Sequence, residues 1–372
     1  MNRPIKSLIK VFRFVTIYGF VRTLTKINGR RRNLVLFRPF FLKNRPYIGL
    51  VGCGQFQFST IAYFLSRNYT NRFLFCFDIK EVNAVSLAAY YKIKNSSFHF
   101  EDVFRHEKMK LVYIASNHAS HTPYSVEFLN RNINVYCEKP ISVNFNQLDL
   151  LLVALKHSKA DFYAGYNRPY SPAIFMIRNQ FNLHNNLNGK FTLNCFVVAH
   201  LIPKDHWYRD PQEGTRICGN VGHWLDLMIH MYSWRGYIPK KYLVQVSYSS
   251  LDDFDENINI SITTSVGDLT SVTITSRAEP FEGINETINF QYDSIIAKID
   301  DFRKVTLWDN ENIYTKRFFP KDVGHKRSVL QPFKNNNRNL QEIISSTELM
   351  IHISEMVKSN VTIKEIELIR NL

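Results

Sequence analysis

The chain contains 372 residues and carries a formal net charge of +15, from 47 Lys and Arg against 32 Asp and Glu. Residues 1–45 hold 12 of the basic residues and no acidic one, so the remaining 327 residues have a net charge of only +3. Charge confined to one end disfavours a nucleic-acid-binding surface along the chain, and a content of 45% hydrophobic and 21% charged residues excludes a disordered or fibrous protein. A chain of this length is expected to form two domains.

Cysteine usage and hydropathy indicate a cytoplasmic protein. The five cysteines are scattered with no Cys-x-x-Cys pair, so we expect reduced thiols and neither a disulfide framework nor a zinc site. No run of 18 apolar residues is present, and no transmembrane helix is expected. A signal peptide is not expected either, because Arg13 interrupts the first apolar run and no small-residue cleavage site follows it.

The N-terminal extension, residues 1–45, begins with a predicted amphipathic helix over residues 4–18. Gly19 is expected to interrupt this helix before a shorter second turn. An apolar stripe beside a basic face is typical of a helix lying in an anionic membrane surface, which predicts peripheral membrane contact through residues 1–30 at the inner face. The alternative is that the stripe packs on the body of the protein or on a second subunit. The stripe comprises Ile5, Leu8, Ile9, Phe12 and Val15, and the basic face comprises Lys6, Lys10 and Arg13.

A glycine turn opens the next segment. The buried-strand pattern of residues 47–51 is followed by Gly52-Cys53-Gly54 and then by a helical stretch. Strand, glycine turn and helix together direct helix N-terminal amides at a pyrophosphate. Gly52 permits the tight turn, and Gly54 lets the backbone approach phosphates. Gln57 stands where the usual fingerprint has a third small residue.

An acidic residue marks the end of the second predicted strand. Asp78 follows residues 73–77, 26 positions after Gly52. A carboxylate there accepts hydrogen bonds from the adenosine ribose hydroxyls and repels a 2′-phosphate, which favours NAD over NADP. Lys80 softens that preference, so NADP stays open. The alternative is that Asp78 is a solvated acid at a strand end.

Strands and helices then alternate. Helices are predicted over residues 81–91 and 122–131, and strands over residues 111–115 and 135–137. This alternation predicts an α/β fold with a Rossmann-type, doubly wound parallel sheet that binds its ligand at the carboxyl ends of the strands.

Five motifs follow one another along the chain. They are the glycine turn, Ala115-Ser116-Asn117 with His121, Glu138-Lys139-Pro140, Gly165-Tyr166-Asn167-Arg168-Pro169, and the segment from Gly219 to Asp226. Together they resemble the Gfo/Idh/MocA family, named for glucose-fructose oxidoreductase and inositol dehydrogenase, and the resemblance covers residues 46–358.

The resemblance implies an NAD(P)-dependent oxidoreductase that transfers a hydride between nicotinamide and a secondary hydroxyl of a sugar, cyclitol or nucleotide sugar, with polysaccharide biosynthesis as the expected setting. It also implies a homo-oligomer formed through the exposed face of a second sheet. We expect a Rossmann domain over residues 46–163 and an α+β substrate domain over residues 164–372, with an open, mostly antiparallel sheet and a closing helix at 338–358. Six runs between residues 192 and 299, rich in alternating β-branched and aromatic residues, agree with that sheet.

The family motifs also imply a cofactor site. By resemblance, Lys139 reaches both the nicotinamide side and the substrate hydroxyl, where an ammonium donor stabilises a developing alkoxide. Pro140 fixes the backbone after it, often through a cis bond. The implied cofactor-binding residues are Gly52, Gly54, Gln55, Phe56, Asp78, Ser116, Asn117, His121, Glu138 and Lys139.

His223 is the candidate general acid and base, because histidine titrates near working pH. Position 219 is Gly219, so the acid that many family members carry one turn earlier is missing. Asp226 is the remaining candidate: it orients the His223 ring, or it caps a packed helix. His230 shares this helical face, but metal sites rarely take every ligand from one helix, so no metal is expected.

The implied substrate-binding residues are Asn167, Arg168, Trp207, Arg216 and Asn220. The two arginines either clamp an anionic group of the substrate or form structural ion pairs. A second functional hypothesis is a non-catalytic, dinucleotide-binding regulator or scaffold on the same fold. Gln57 and the missing acid favour it, whereas Lys139 and His223 argue for retained chemistry.

Overall fold

The computed structural model describes residues 3–32, 43–69, 71–184, 186–250, 256–280, 283–334 and 337–372. The chain divides into two compact units. The first comprises Met1–Ser142, Asn146–Gly165 and His325–Asn337, and the second comprises Val143–Phe145, Tyr166–Gly324 and Arg338–Leu372.

The N-terminal extension clusters with the first unit, and the chain passes to the second unit after Gly165, two residues beyond the expected boundary. Residues 325–337 return to the first unit, a crossing that the linear pattern of the sequence did not indicate.

The first unit contains a parallel six-stranded sheet with the order β3-β2-β1-β4-β5-β6. This confirms the predicted doubly wound sheet. Its strands are β1 (Lys43–Val51), β2 (Asn71–Phe77), β3 (Asn95–Ser97), β4 (Leu111–Ile114), β5 (Asn134–Cys137) and β6 (Phe162–Ala164). Its helices are α1 (Arg3–Tyr18), α2 (Phe20–Arg31), α3 (Ala62–Tyr69), α4 (Glu81–Tyr91), α5 (His118–Leu129), α6 (Phe145–His157) and, after the second unit, α9 (His325–Val329).

The central strands are apolar on both faces, as a parallel sheet covered by helices requires. Every residue of β4 is buried. The rings of Tyr113 and Tyr136, on neighbouring strands, contact each other at a tilt of 32°, with centroids 4.7 Å apart. The hydroxyl of Tyr113 donates to the carbonyl of Val329 at 2.7 Å, which ties the returning helix α9 to this core.

The two N-terminal helices form as predicted, with Gly19 between them at a φ of 81°. Their packing separates the two alternatives for the apolar stripe, since most of the stripe does not pack on the described body of the protein. Phe14 and Ile17 are buried, whereas Leu8 and Phe12 of the predicted stripe are each 69% exposed. The reason is that α1 turns its Phe14 edge toward α2, where the ammonium of Lys26 lies 5.2 Å from the Phe14 ring centroid. The side chains of residues 3–7, and residues 33–42, lie outside what the structure describes.

The second unit contains a nine-stranded sheet with the order β14-β13-β12-β11-β7-β10-β9-β8-β15, antiparallel except between β7 and β10. This confirms the predicted open, mostly antiparallel sheet. Its strands are β7 (Phe191–Val198), β8 (Lys241–Tyr248), β9 (Ile258–Thr264), β10 (Leu269–Thr275), β11 (Asn285–Tyr292), β12 (Ile295–Asp300), β13 (Lys304–Asp309), β14 (Asn312–Arg317) and β15 (Ile363–Glu367).

Burial alternates along most of these strands, so one face of the sheet carries the core. The helices are α7 (Pro172–His184), α8 (Gly222–Tyr232) and α10 (Leu340–Lys358). Helices α8 and α10 pack together, and Gly222 permits their close approach: a Cβ there would lie 2.6 Å from the sulfur of Met350.

All five cysteines are buried free thiols. Burial raises the pKa of Cys137 to about 12, so this thiol stays protonated near neutral pH. Among the residues described, no helix combines the length and apolarity that a membrane span requires.

Candidate functional site

The glycine turn leaves an open approach to the backbone. Gly52 has a φ of 79°, and a Cβ there would lie 2.5 Å from the amide nitrogen of Ser116, so only glycine fits. A Cβ on Gly54 would meet no atom of the described residues within 4 Å. The space in front of Gly54 therefore admits a ligand close to the backbone, which is the cradle that a dinucleotide phosphate needs.

A π-turn, Gln57–Ile61, stands between the glycine turn and helix α3. Gln57 occupies the position of the missing small residue and is fully buried. Neither atom of its amide forms a hydrogen bond with a described residue. The wider helix start coincides with the long side chain that replaces the usual small one, and π-turns are frequent at functional sites.

Asp78 is anchored rather than solvated. One carboxylate oxygen accepts from the amide of Cys53 at 2.7 Å, and the other accepts from the amide of Lys80 at 2.8 Å and from the side chain of Asn83 at 3.4 Å. The residue is 8% exposed. These bonds hold the glycine turn against the end of β2 and fix the acid where the adenosine ribose is expected.

In the Glu138-Lys139-Pro140 segment, the first residue is held by hydrogen bonds. Glu138 is buried and accepts from the Tyr136 hydroxyl at 3.1 Å and from the Lys139 amide at 3.3 Å. Burial raises the pKa of Glu138 to about 7, with the opposing charge of Lys139 as the next largest influence. The Lys139–Pro140 bond is cis, as the resemblance implied, and the Lys139 side chain is half-buried.

His121 holds this segment to the loop after β4. Its Nδ1 lies 2.8 Å from the Pro140 carbonyl and its Nε2 lies 3.2 Å from the Ser116 carbonyl. Burial lowers the pKa of His121 to about 4, so the ring is neutral near neutral pH and donates to one carbonyl at a time. At 1% exposure, His121 positions Pro140 and Ser116.

The other predicted cofactor residues divide by accessibility. Asn117 is exposed at the start of α5, and Ser116 is half-buried and accepts from Ser120 at 2.7 Å. The Gln55 side chain turns toward α2 and donates to the Lys26 carbonyl at 3.1 Å. Phe56 packs beside His325, with ring centroids 5.6 Å apart. Gln55 and Phe56 therefore present backbone groups rather than side chains to the turn.

In the second unit, His223 lies in the first turn of α8, directly after a second π-turn, Ile217–Val221. Its ring is half-buried, and its centroid lies 6.3 Å from that of Tyr166. Asn220, also half-buried, belongs to the π-turn. Both side chains retain the access to solvent that a role in substrate binding or catalysis requires.

Asp226 is engaged elsewhere. It is fully buried, and its two carboxylate oxygens accept from the Arg338 guanidinium at 2.8 and 2.7 Å. Burial raises the pKa of Asp226 to about 6 against the influence of that guanidinium. Arg338 also binds Glu342 at 3.0 Å, which in turn lies 2.9 Å from Nδ1 of His230. The structure thus supports the packed-helix alternative for Asp226. No group of three His, Cys, Asp or Glu suited to a metal ion occurs within the described part of the chain.

Arg168 forms a buried ion pair. Its Nε and Nη2 donate to the two carboxylate oxygens of Glu286 at 2.8 and 3.0 Å, and Trp224 donates to the same carboxylate at 2.9 Å. The neighbouring Asn167 is 2% exposed and donates to the Val323 carbonyl at 2.6 Å. The structural alternative is favoured for Arg168, because its fork is already filled by Glu286.

Arg216 is likewise internal. At 2% exposure it donates to the carbonyl of His200 at 2.6 Å and to the hydroxyl of Ser276, and it lies 3.8 Å from Glu256. These contacts favour its structural alternative too. Trp207, in contrast, is 43% exposed in the same loop, with its ring beside those of His206 and Tyr208. Of the five predicted substrate residues, Trp207 and Asn220 keep the most accessible side chains.

The motifs of the sequence did not point to Arg32, which counted only toward the basic charge of the N-terminal extension. The Nη2 of Arg32 donates to the carbonyl of Cys53, inside the glycine turn, at 2.7 Å. No spacing or motif connects these two residues, which are 21 positions apart. The contact appears only once α2 is placed against the π-turn.

The parallel sheet, its glycine turn and the anchored acid after β2 define an NAD-binding Rossmann domain. A family model described as "Oxidoreductase family, NAD-binding Rossmann fold" matches residues 47–166. Residues 47–166 are therefore similar to the NAD-binding domain of the Gfo/Idh/MocA oxidoreductases.

Individual relatives agree with the family. "Oxidoreductase P35" of Formosa agariphila is 24% identical over 200 residues, which span 51% of this chain and 62% of that protein. The fold is shared with a Gfo/Idh/MocA family oxidoreductase from Vibrio cholerae, with a TM-score of 0.66 at 15% identity over 85% of this chain and 99% of the other. It is also shared with levoglucosan dehydrogenase in complex with NADH, with a TM-score of 0.71 at 12% identity over 88% and 100% of the two chains.

Proposed function

We propose that the protein is an NAD(P)-dependent dehydrogenase that oxidises a secondary hydroxyl of a sugar, cyclitol or nucleotide sugar, or reduces the corresponding ketone. The observation that carries this proposal is the pairing, in one chain, of a glycine turn open to a dinucleotide with an intact Glu138-Lys139-Pro140 segment held by His121. Bound nicotinamide would supply the hydride acceptor or donor.

The residues of the chain supply the proton chemistry. The Lys139 ammonium donates to the reacting oxygen and stabilises negative charge on it. The buried Glu138 and the His121 bond to Pro140 hold the backbone that carries Lys139. His223, half-buried at the start of α8, takes the hydroxyl proton during oxidation and returns it during reduction. Trp207 and Asn220 are assigned to the sugar ring and its hydroxyls.

The test is NADH formation by the full chain with a panel of sugars, cyclitols and nucleotide sugars. Lys139→Ala should abolish turnover while the melting temperature stays unchanged. His223→Asn should lower kcat by roughly 100-fold or more, the usual contribution of a general acid and base. Asp300→Asn, an exposed change on β12, is the matched control. An active Lys139→Ala enzyme would exclude the proposed role.

The alternative is a dinucleotide-binding regulator or scaffold without catalysis. NADH binding with no turnover on any member of the panel would favour it. The buried Gln57 at the start of the cofactor helix is the observation on its side.

A second proposal concerns the N-terminal extension. We propose that the exposed side chains of α1 and α2 place the protein at the cytoplasmic face of an anionic membrane. Leu8, Phe12 and Phe20 are 66 to 69% exposed beside a segment that carries only basic charge. Flotation with vesicles of anionic lipid should retain the full chain and release Leu8→Glu/Phe12→Glu. Equal retention of both, or equal binding to neutral vesicles, would refute membrane contact.

Association of two copies through the exposed sheet face of the second unit stays a prediction. Phe196 and Ile296, each 46% exposed, lie on strands of that sheet.

A further inference from the structure

Arg32, at the end of α2, reaches into the region of the cofactor turn. Its Nη2 donates to the Cys53 carbonyl at 2.7 Å, and its Nη1 donates to the Ser86 hydroxyl at 3.1 Å and to the Asn83 carbonyl at 3.5 Å. The guanidinium carbon also lies 4.9 Å from the centroid of the Phe58 ring. The guanidinium therefore bridges the glycine turn and helix α4, with its position fixed by three acceptors and an aromatic ring.

These two segments are the ones that border the adenosine half of a dinucleotide in a Rossmann domain. Cys53 is the middle residue of the glycine turn, and α4 begins three residues after Asp78. Arg32 is thus a basic group that contacts the two segments flanking Asp78, although it comes from outside the βαβ unit.

Within the described part of the chain, the hydrogen bonds of Arg32 leave some of its donors unused. A guanidinium has five N–H groups, and the three hydrogen bonds account for both on Nη1 and one on Nη2. The group is half-buried, so the remaining donors at Nε and Nη2 retain access to a ligand. A planar guanidinium with donors in a fork matches a phosphate better than any other side chain does.

Charge points the same way. Asp78 by itself favours an unmodified ribose, because a carboxylate repels a 2′-phosphate. The negative charge of Asp78 acts on Arg32, opposing the lowering of the Arg32 pKa that burial causes. A guanidinium that bonds Cys53 and Asn83, the same two residues that bond Asp78, opposes the repulsion that the carboxylate would exert on a second anion.

We propose that Arg32 contacts the cofactor and that its guanidinium donates hydrogen bonds to a 2′-phosphate on the adenosine ribose. The chain would then accept this phosphate beside Asp78 and bind NADP as well as NAD. This inference rests on the NAD-binding assignment of the first unit, and it gives the N-terminal extension a part in cofactor choice.

Binding of NADH and NADPH to the full chain, followed by the fluorescence of the reduced nicotinamide, tests it without any substrate. The wild type should bind the two cofactors with Kd values within about tenfold of each other. Arg32→Gln, which keeps a polar side chain without charge, should weaken NADPH by at least about tenfold more than NADH, as expected for a lost charge-assisted bond. Arg32→Lys, which keeps the charge without the fork, should fall between them. Arg31→Gln, an exposed neighbour of equal charge, should leave the ratio unchanged.

The other outcomes count against the proposal. A purely structural Arg32 would weaken both cofactors equally, and an Arg32 that blocks the site would give tighter binding of both in the variant. Strong rejection of NADPH by the wild type would also overturn it. If the wild type bound neither cofactor, the dinucleotide assignment itself would fail, which is distinct from an effect confined to Arg32. Melting temperatures identify any variant that is simply unfolded.

Discussion

Arg32 and Asp78 each form a hydrogen bond with the backbone of Cys53. The amide of Cys53 donates to Asp78 at 2.7 Å, and its carbonyl accepts from Arg32 at 2.7 Å. Asn83 repeats the arrangement more weakly, at 3.4 Å to Asp78 and 3.5 Å to Arg32. Cofactor turn, strand end and N-terminal extension thus share one hydrogen-bond network.

Asp78→Asn should disturb that network. An amide side chain has only one acceptor oxygen, so one of the Cys53 and Lys80 backbone amides loses its partner. We expect the free energy of unfolding to fall by about 1–3 kcal/mol, the cost of a buried donor left unsatisfied. Urea denaturation measures this, with Asp300→Asn as the exposed control. Equal stability of wild type and Asp78→Asn would show that the two bonds are dispensable.

Gly29→Ala should release α2 from the first unit. A Cβ on Gly29 would lie 2.8 Å from the Gln55 side-chain oxygen and 2.9 Å from the Phe58 ring. Alanine favours a helix by about 1 kcal/mol over glycine, so any loss of protection in α2 must come from packing. Hydrogen exchange over residues 20–31 should accelerate while exchange in β4 stays unchanged. Arg30→Ala, exposed beside it, is the control, and faster exchange there too would point to general fraying.

Glu138→Gln should change how stability depends on pH. The pKa of Glu138 is about 7 in the folded protein against 4.5 for the free group. Below pH 4.5 the carboxyl is protonated in both states and contributes nothing. Between pH 4.5 and 7 only the unfolded state ionises, so the folded state loses up to about 3 kcal/mol at about 1.4 kcal/mol per pH unit.

The variant should therefore match the wild type near pH 4.5 and exceed its free energy of unfolding at pH 8. The gain in the free energy of unfolding should be smaller than the full pH-dependent loss of the wild type. The reason is that a glutamine side chain has one acceptor oxygen and loses one of the two hydrogen bonds that Glu138 accepts. Asp226, whose pKa is also raised, is present in both proteins and cancels in the comparison. Denaturant curves at several pH values give the result. A difference independent of pH would mean that Glu138 ionises normally in the folded protein.

Arg168→Met separates a structural role from substrate binding. The substitution removes one partner of a buried ion pair and leaves the Glu286 carboxylate buried without its counter-charge. We expect the free energy of unfolding to fall by about 3–5 kcal/mol. At a temperature where the variant is folded, KM should change little. Arg303→Met, on the surface, supplies the control. An increase in KM at unchanged stability would favour the other alternative, in which Arg168 binds an anionic group of the substrate.

Local patterns in the sequence predicted several secondary-structure elements correctly. The predicted helix over residues 81–91 has the bounds of α4, because its ends and its periodicity are encoded within the segment itself. The alternating runs after residue 190 became strands of the second sheet for the same reason. Pairings between distant residues were beyond reach: Arg168 and Glu286 are 118 positions apart, and nothing in either neighbourhood specifies the other.

The predicted stripe of α1 shows a different limit. Spacing identified Leu8 and Phe12 as one apolar face, but a periodic pattern does not say which face is buried. Phe14 and Ile17, on another side, are the residues that pack. The contact of Arg32 with Cys53 could not be predicted for a related reason. Its acceptor is a backbone carbonyl, a group that every residue has, so no sequence pattern identifies it.

The two π-turns, Gln57–Ile61 and Ile217–Val221, each contain one residue more than an α-helical turn would use. Deleting a single residue inside either of them would let the helix close into regular α-helix. The flanking segments would keep nearly their present orientation, because a π-turn spreads its extra residue over about the same rotation as an α-helical turn. A deletion in the regular part of α3 or α8 would instead rotate everything on one side by about 100° relative to the other. One-residue length variation is therefore expected to be tolerated better inside these two π-turns than in the helices that follow them.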